Sequence, residues 1–277
     1  MMTDYIAMYE HLADRARILR LRLQSFNVEP GSAMHSDDLY LTPVMRSFQE
    51  LVWQFLGSAV DHLRVIGTSG SRQPATSPFA FATLARTAIT TAATALWFLN
   101  DDQVERRVRI LEIIAADLVS YAQFRTTIKE AITSPEDAQE FEDETQVLDT
   151  RTTWIVTEHN SLTNHDRSSI KAVSGAVTDT GMVRAAGLLL EPMQFIPGLQ
   201  SDAELVALWQ LLSGYAHGRP WAYQAAKTHG PTDANGLAPT TISGDPELIL
   251  GVAAIAVKLV EIACDTADNL SRADGNH

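Results

Sequence analysis

The hydrophobic pattern of the chain centres on the stretch from Ser77 to Asn100, SPFAFATLARTAITTAATALWFLN, which carries one charged residue, Arg86. Ser77 followed by Pro78 reads as a helix N-cap with proline in the first turn, where the missing N–H costs nothing. Phe81, Leu84, Ala85, Ala88, Ile89, Ala92, Ala95, Leu96 and Leu99 then recur at helical spacing. Most remaining positions are apolar or hydroxyl-bearing, so other helices are expected to surround this one. A bilayer span is the rival reading by length. Thr83, Thr87, Thr90, Thr91 and Thr94 count against it, as does a guanidinium at mid-helix.

Similar patterning predicts the flanking elements. Residues 4–26 form an amphipathic helix with Tyr5, Met8, Leu12, Ile18 and Leu19 apolar and Arg15, Arg17, Arg20 and Arg22 on other faces; residues 1–30 are read as an arm that packs on the body or on a second subunit. The segment 27–42 carries Pro, Gly, Ser and Asp and reads as a loop. Thr42 and Pro43 open a helix to about Ile66 that places His62 on its apolar face, and 67–77 follows as a flexible connector. An amphipathic helix follows Asn100, and Ser134, Pro135 and Asp137 start an acidic one to about His159, before a polar loop over 160–169. Ser201 to Glu204 is an S-x-x-E capping box, and the helix it opens ends at SGYAHGRPW, 213–221, with Gly218 as the left-handed residue. Residues 222–245 read as loop or a short hairpin around Asn235-Gly236. Asp245 and Pro246 begin a last apolar helix to about Leu270, and 271–277 is a disordered tail. The expected fold is all-α: a single-domain multi-helix bundle over 1–277, with Ser77–Asn100 and Asp245–Leu270 central and a short hairpin near 223–243.

Composition narrows the function classes. The chain has 277 residues and a net charge of −13, from 21 Lys plus Arg against 34 Asp plus Glu. That balance repels nucleic-acid backbones and acidic membranes, so neither non-specific nucleic-acid binding nor a membrane partner is expected. A single cysteine, Cys264, excludes an intrachain disulfide and a cysteine metal site. With charges from residue 4 onward and no apolar core to a leader, a cytoplasmic location is expected. No nucleotide-binding glycine motif, metalloprotease motif or nucleophile elbow occurs, and no cofactor or metal is expected.

Two places concentrate chemistry. A buried guanidinium cannot shed its proton, so Arg86 needs either an Asp or Glu from a neighbouring helix or an anionic ligand. The second is the helix end at 213–221, where Tyr215, His217, Arg219 and Trp221 bring together donors, an imidazole and a stacking surface. The ligand-binding candidates are therefore His62, Arg86, Tyr215, His217, Arg219 and Trp221, and His217, Arg86 and Arg219 are the catalytic candidates. Asp101-Asp102-x-x-Glu105 resembles the aspartate motif of terpene cyclases, but the second metal motif those enzymes need is missing. These acids are read as helix N-terminal charges, with Asp102–Arg106 and Glu105–Arg109 as pairs one turn apart.

Several of these features resemble uncharacterised bacterial helical proteins distantly related to the HEPN group: Arg86 in an alanine-rich helix ending Leu-Trp-Phe-Leu (96–99), an Arg-rich next helix, and Ser-Gly-Tyr-Ala-His-Gly-Arg (213–219). The likeness covers about residues 44–270. It implies an RNA- or nucleotide-acting protein, with a defence or toxin role. HEPN ribonucleases use an Arg followed four to six residues later by a His that acts on the RNA 2′-OH; here only Arg272 and His277 have that spacing, so His217 with Arg86 or Arg219 would have to substitute. Three functions are open: a helical binding or interaction protein, expected to be a homodimer, with a small anionic ligand or nucleotide near Arg86 and His217; the HEPN-like protein; and a small-molecule enzyme with a pocket lined by His62, Arg86 and a carboxylate such as Asp117.

Overall fold

The computed structural model describes residues 4–73, 77–193 and 195–273. Among them the elements run α1 (Tyr5–Gln24), α2 (Ala33–Tyr40), a 3-10 turn (Thr42–Val44), α3 (Phe48–Gly70), α4 (Pro78–Phe98), α5 (Gln103–Lys129), α6 (Pro135–Thr163), α7 (Ile170–Ser174), α8 (Asp179–Gly187), α9 (Ser201–Ala216), β1 (Lys227–His229), β2 (Thr240–Ile242) and α10 (Pro246–Ser271). The fold is an all-α multi-helix bundle carrying one small antiparallel hairpin, with Lys227 opposite Ile242. Beside the expectation of one domain over 1–277 stands a division of the described residues into two compact units. One holds the residues up to Asn27, Val52–Trp97 and Asp179–Asp268; the other holds Val28–Leu51, Phe98–Thr178 and the residues from Asn269 on.

The first unit is built on α4 and α10. On α4 the buried face is mostly alanine (Ala82, Ala85, Ala88, Ala92, Ala93, Ala95), so neighbouring helices can come close. Its threonines are satisfied within the helix: the hydroxyls of Thr83, Thr87, Thr90, Thr91 and Thr94 donate to the carbonyls four residues earlier, at 2.8–2.9 Å. By length and composition α4 could cross a membrane, and 56% of its most apolar window is buried inside the protein. Asp245 caps α10 by accepting from the N–H groups of Glu247 and Leu248, at 3.0 and 3.1 Å.

Helix α1 packs within this unit. Its buried stripe is Tyr9, Leu12, Ala16, Leu19 and Leu23, whereas Met8 and Ile18, expected to be apolar contacts, are each 47% exposed. Arg15 pairs with Glu261 and Arg22 with Asp265 and Asp268, all on α10. Gly67 and Gly70 are not connector but the last turn of α3. A Cβ at Gly67 would lie 2.6 Å from the Ala13 amide nitrogen, and one at Gly70 would strike the Tyr9 ring, so these glycines permit the α1 crossing. Residues 74–76 of the expected connector lie outside the described residues. The Ser201–Glu204 capping box does not form: Gln200 is the N-cap, and the fully buried Glu204 carboxylate accepts instead from the Ile196 N–H at 2.6 Å.

In the second unit, α5 carries the core through Ile110, Leu111, Ile113, Ile114, Ala115 and Leu118. Two loop expectations are corrected. Within 27–42, Ser32 caps α2 through the His35 N–H (3.1 Å). Within 160–169, α6 continues to Thr163 and stops at the left-handed Asn164, while both ends of the Asn160 amide bond the Arg167 backbone. Thr42 and Pro43 make only the 3-10 turn, ended by left-handed Met45, and Ser47 then caps α3. Of the tail expected over 271–277, residues 274–277 lie outside the described residues, and the part before them is held to the body. Ser271 is buried in α10, its carbonyl accepts from the Glu29 N–H at 2.8 Å, and the Ala273 N–H reaches the Glu29 carboxylate at 2.9 Å.

Candidate functional site

Arg86 sits half-buried on α4. Its guanidinium carbon lies 4.9 Å from the centroid of the Trp209 ring on α9. The indole is fixed from the side: Trp209 Nε1 donates to Thr90 Oγ1 at 2.8 Å, and that hydroxyl donates to the Arg86 carbonyl at 2.9 Å. Thr90 thus ties the ring to the turn that carries Arg86. The expected internal carboxylate is absent among the described residues, where Arg86 makes no ion pair, and its Nε is buried without a hydrogen-bond partner. A ring quadrupole offsets part of a guanidinium's desolvation, by roughly 0.5–2 kcal/mol, but accepts no N–H bond as a carboxylate does.

The end of α9 forms a Schellman turn. Arg219 N–H donates to Gly214 O at 2.8 Å and Gly218 N–H to Tyr215 O at 2.9 Å, with Gly218 at a φ of 61°. His217 is the C-cap, and it is exposed together with Arg219 and Trp221. The Trp221 ring covers Gly214, where a Cβ would lie 2.8 Å from it. Tyr215 is buried among Phe79 and Tyr223, with ring centroids 6.2 Å away in each case, and burial, then Asp245, raises its phenol pKa. The space left between Pro78, Leu212, Tyr215 and Asp245 is about 10 Å³, less than a ligand needs. Among the described residues no hydrogen bond, ion pair or ring contact joins Arg86 to His217.

The other candidates have local partners. His62 Nδ1 lies 2.7 Å from the carbonyl of Ser58, one turn back on α3. Asp117 is exposed and pairs with Arg46 at 2.8 Å. Asp102 caps α5 by accepting from the Glu105 N–H at 2.8 Å, and Glu105 pairs with Arg109 at 2.7 Å. Arg106, expected to pair with Asp102, turns elsewhere. Cys264 is buried, and burial pushes its thiol up to about 12, so it holds almost no thiolate at neutral pH. Of the Arg272/His277 spacing, His277 lies outside the described residues.

A charge cluster that the sequence reading missed lies in the second unit. Arg106 is 1% exposed and Asp37 fully buried; Nε of Arg106 donates to one Asp37 oxygen at 2.5 Å and Nε of Arg107 to the other at 2.9 Å. Arg106 Nη1 also donates to the carbonyls of Asn100 and Asp101, at 2.6 and 3.1 Å. Arg107 stacks on Tyr40 at 4.2 Å, and burial and Glu158 raise the Tyr40 phenol pKa. With both Asp37 oxygens and the Nε and Nη1 donors of Arg106 engaged, this cluster ties α2 to the start of α5. Nearby on α6, His159 is 1% exposed, with Nε2 3.5 Å from Glu112 and Nδ1 unpartnered. Burial, then Arg167 and His165, hold its pKa below the ordinary value, so it is neutral at pH 7.

Comparison with protein-family models, with curated proteins and with solved structures found no match in any of the three.

Proposed function

We propose that the protein is a helical binding protein whose first unit takes up a small anion, a carboxylate or a phosphate such as that of a nucleotide, at Arg86. The carrying observation is the unfinished state of that guanidinium: it rests on Trp209 with Nε buried and unbonded. The more deeply buried arginines behave otherwise, since Arg106 is met by Asp37 and Arg125 by Glu144. A planar anion meeting the Arg86 guanidinium would supply acceptors that the indole face cannot. The HEPN-like reading has less support, because His217 and Arg219 are exposed and, among the described residues, no hydrogen bond or ion pair joins either to Arg86.

The test is thermal unfolding of wild type and Arg86→Gln against rising inorganic phosphate and, separately, a nucleoside monophosphate. The wild-type midpoint should climb saturably with ligand while Arg86→Gln stays flat, as expected when only the folded state binds. Equal shifts in both proteins, or none in wild type, would refute the reading.

A further inference from the structure

A groove whose lining does not include Arg86 runs between α1 and α3 of the first unit. This groove has a volume of about 360 Å³ and is lined by Arg20, Leu23, Trp53, Gly57, Asp61 and Arg64, among others. That volume is in the range that accepts a small organic molecule. Three features give it a definite chemistry. Trp53 is 52% exposed, so the groove wall carries an accessible aromatic side chain. Gly57 is one turn further along α3 and bare: a Cβ there would meet nothing within 4 Å, so packing does not require glycine, and its absent side chain is what keeps the groove beside the indole open. The lining carries two guanidiniums against one carboxylate on a chain whose net charge is −13. Arg64 is held by Asp61, with Nη2 at 2.9 Å and Nε at 3.2 Å from Oδ1, while Arg20 makes no ion pair among the described residues. The groove therefore offers a flat apolar face, open space beside it and one uncommitted cation.

We propose that this groove binds aromatic carboxylates, with the ring lying against Trp53 over Gly57 and the carboxylate accepting from Arg20. Stacking and burial of the ring supply the contact area, and the guanidinium selects the anion over a neutral compound of the same shape.

The probe pair is 2-naphthoate and its neutral analogue 2-naphthalenemethanol, titrated into the full chain by calorimetry and followed by tryptophan fluorescence. Wild type should bind naphthoate saturably and more tightly than the alcohol. Arg20→Gln should weaken naphthoate by about tenfold, the loss of one charge-assisted hydrogen bond, and leave the alcohol unchanged. Gly57→Leu, which the open space accommodates and which helix propensity favours, should keep the melting profile and abolish binding of both. Arg86→Gln should bind naphthoate as wild type does, which separates this groove from the Arg86 site. No naphthoate binding by wild type, equal loss of acid and alcohol in Arg20→Gln, or undiminished binding in a folded Gly57→Leu would each overturn the assignment.

Discussion

Two arginines withdrawn from solvent to different depths, Arg86 in the first unit and Arg106 in the second, solve the same physical problem in opposite ways. Arg106 is sealed in the interior, where a buried carboxylate and two backbone carbonyls meet its Nε and Nη1 donors. Arg86 is half-buried on the face of an indole and leaves Nε without an acceptor. A guanidinium taken from water must recover hydrogen bonds or Coulomb energy, and at Arg106 the protein provides both. At Arg86 it provides a ring and a partly open side. The Arg106 cluster joins two helices, whereas Arg86 keeps a donor without an acceptor among the described residues.

The comparison breaks most visibly at Asp37. Asp37→Ala should destabilise the protein by about 3–5 kcal/mol, because it strands Arg106 in the interior and frees Arg107 as well. Urea denaturation of the variant measures this, and a loss below about 1 kcal/mol would mean the cluster is not the lock described. Trp209→Phe, on the other side, keeps an aromatic face but loses the bond to Thr90. It should cost about 1–2 kcal/mol by the same measurement and weaken phosphate binding along with it.

Acid should act through His159 in the second unit. Its folded pKa lies below the ordinary 6.5, so below that pH the unfolded chain binds more protons than the folded one. Stability attributable to His159 is thus complete above about pH 7 and is lost as pH falls through 6.5, by at most about 1.4 kcal/mol per pH unit. Denaturation midpoints at pH 7.5 and 5.5 for wild type and His159→Gln check the sign: the variant should show the shallower drop. The smallest effect belongs to Arg86→Leu. Removing a charge that has no carboxylate partner should change ligand-free stability by less than about 1 kcal/mol in either direction. A loss like that of Asp37→Ala would mean that Arg86 is structural after all.

Much of the fold was legible because it rests on local pattern. The apolar runs of α4 and α10, the Gly218 helix stop and the hairpin near 223–243 each follow from periodicity or turn chemistry within a few residues. Failures occurred where distant residues decide. Glu204 satisfies the capping-box spacing, yet the Ile196 N–H claims its carboxylate. Gly67 and Gly70 look like a linker until α1 crosses them. Arg106 has an acid one turn away at Asp102 and chooses Asp37, which lies in a helix hidden behind Pro30 and Gly31. The candidate site shows the same limit. A lone charge in an apolar helix marked Arg86 from the sequence, but no spacing rule could reveal that its neighbour would be Trp209 and not a carboxylate. Nor does a spacing rule relate Arg86 to His217, since one lies on α4 and the other at the end of α9.

The most direct measurement is an NMR titration of arginine Nε–H resonances with inorganic phosphate, assigning Arg86 and Arg106 through Arg86→Lys and Arg106→Lys. The Arg86 signal should move saturably as phosphate meets its guanidinium, while the Arg106 signal, already bonded to Asp37, stays in place. If Arg86 does not respond, or if both signals drift together without saturation, the contrast between an open and a sealed arginine is wrong.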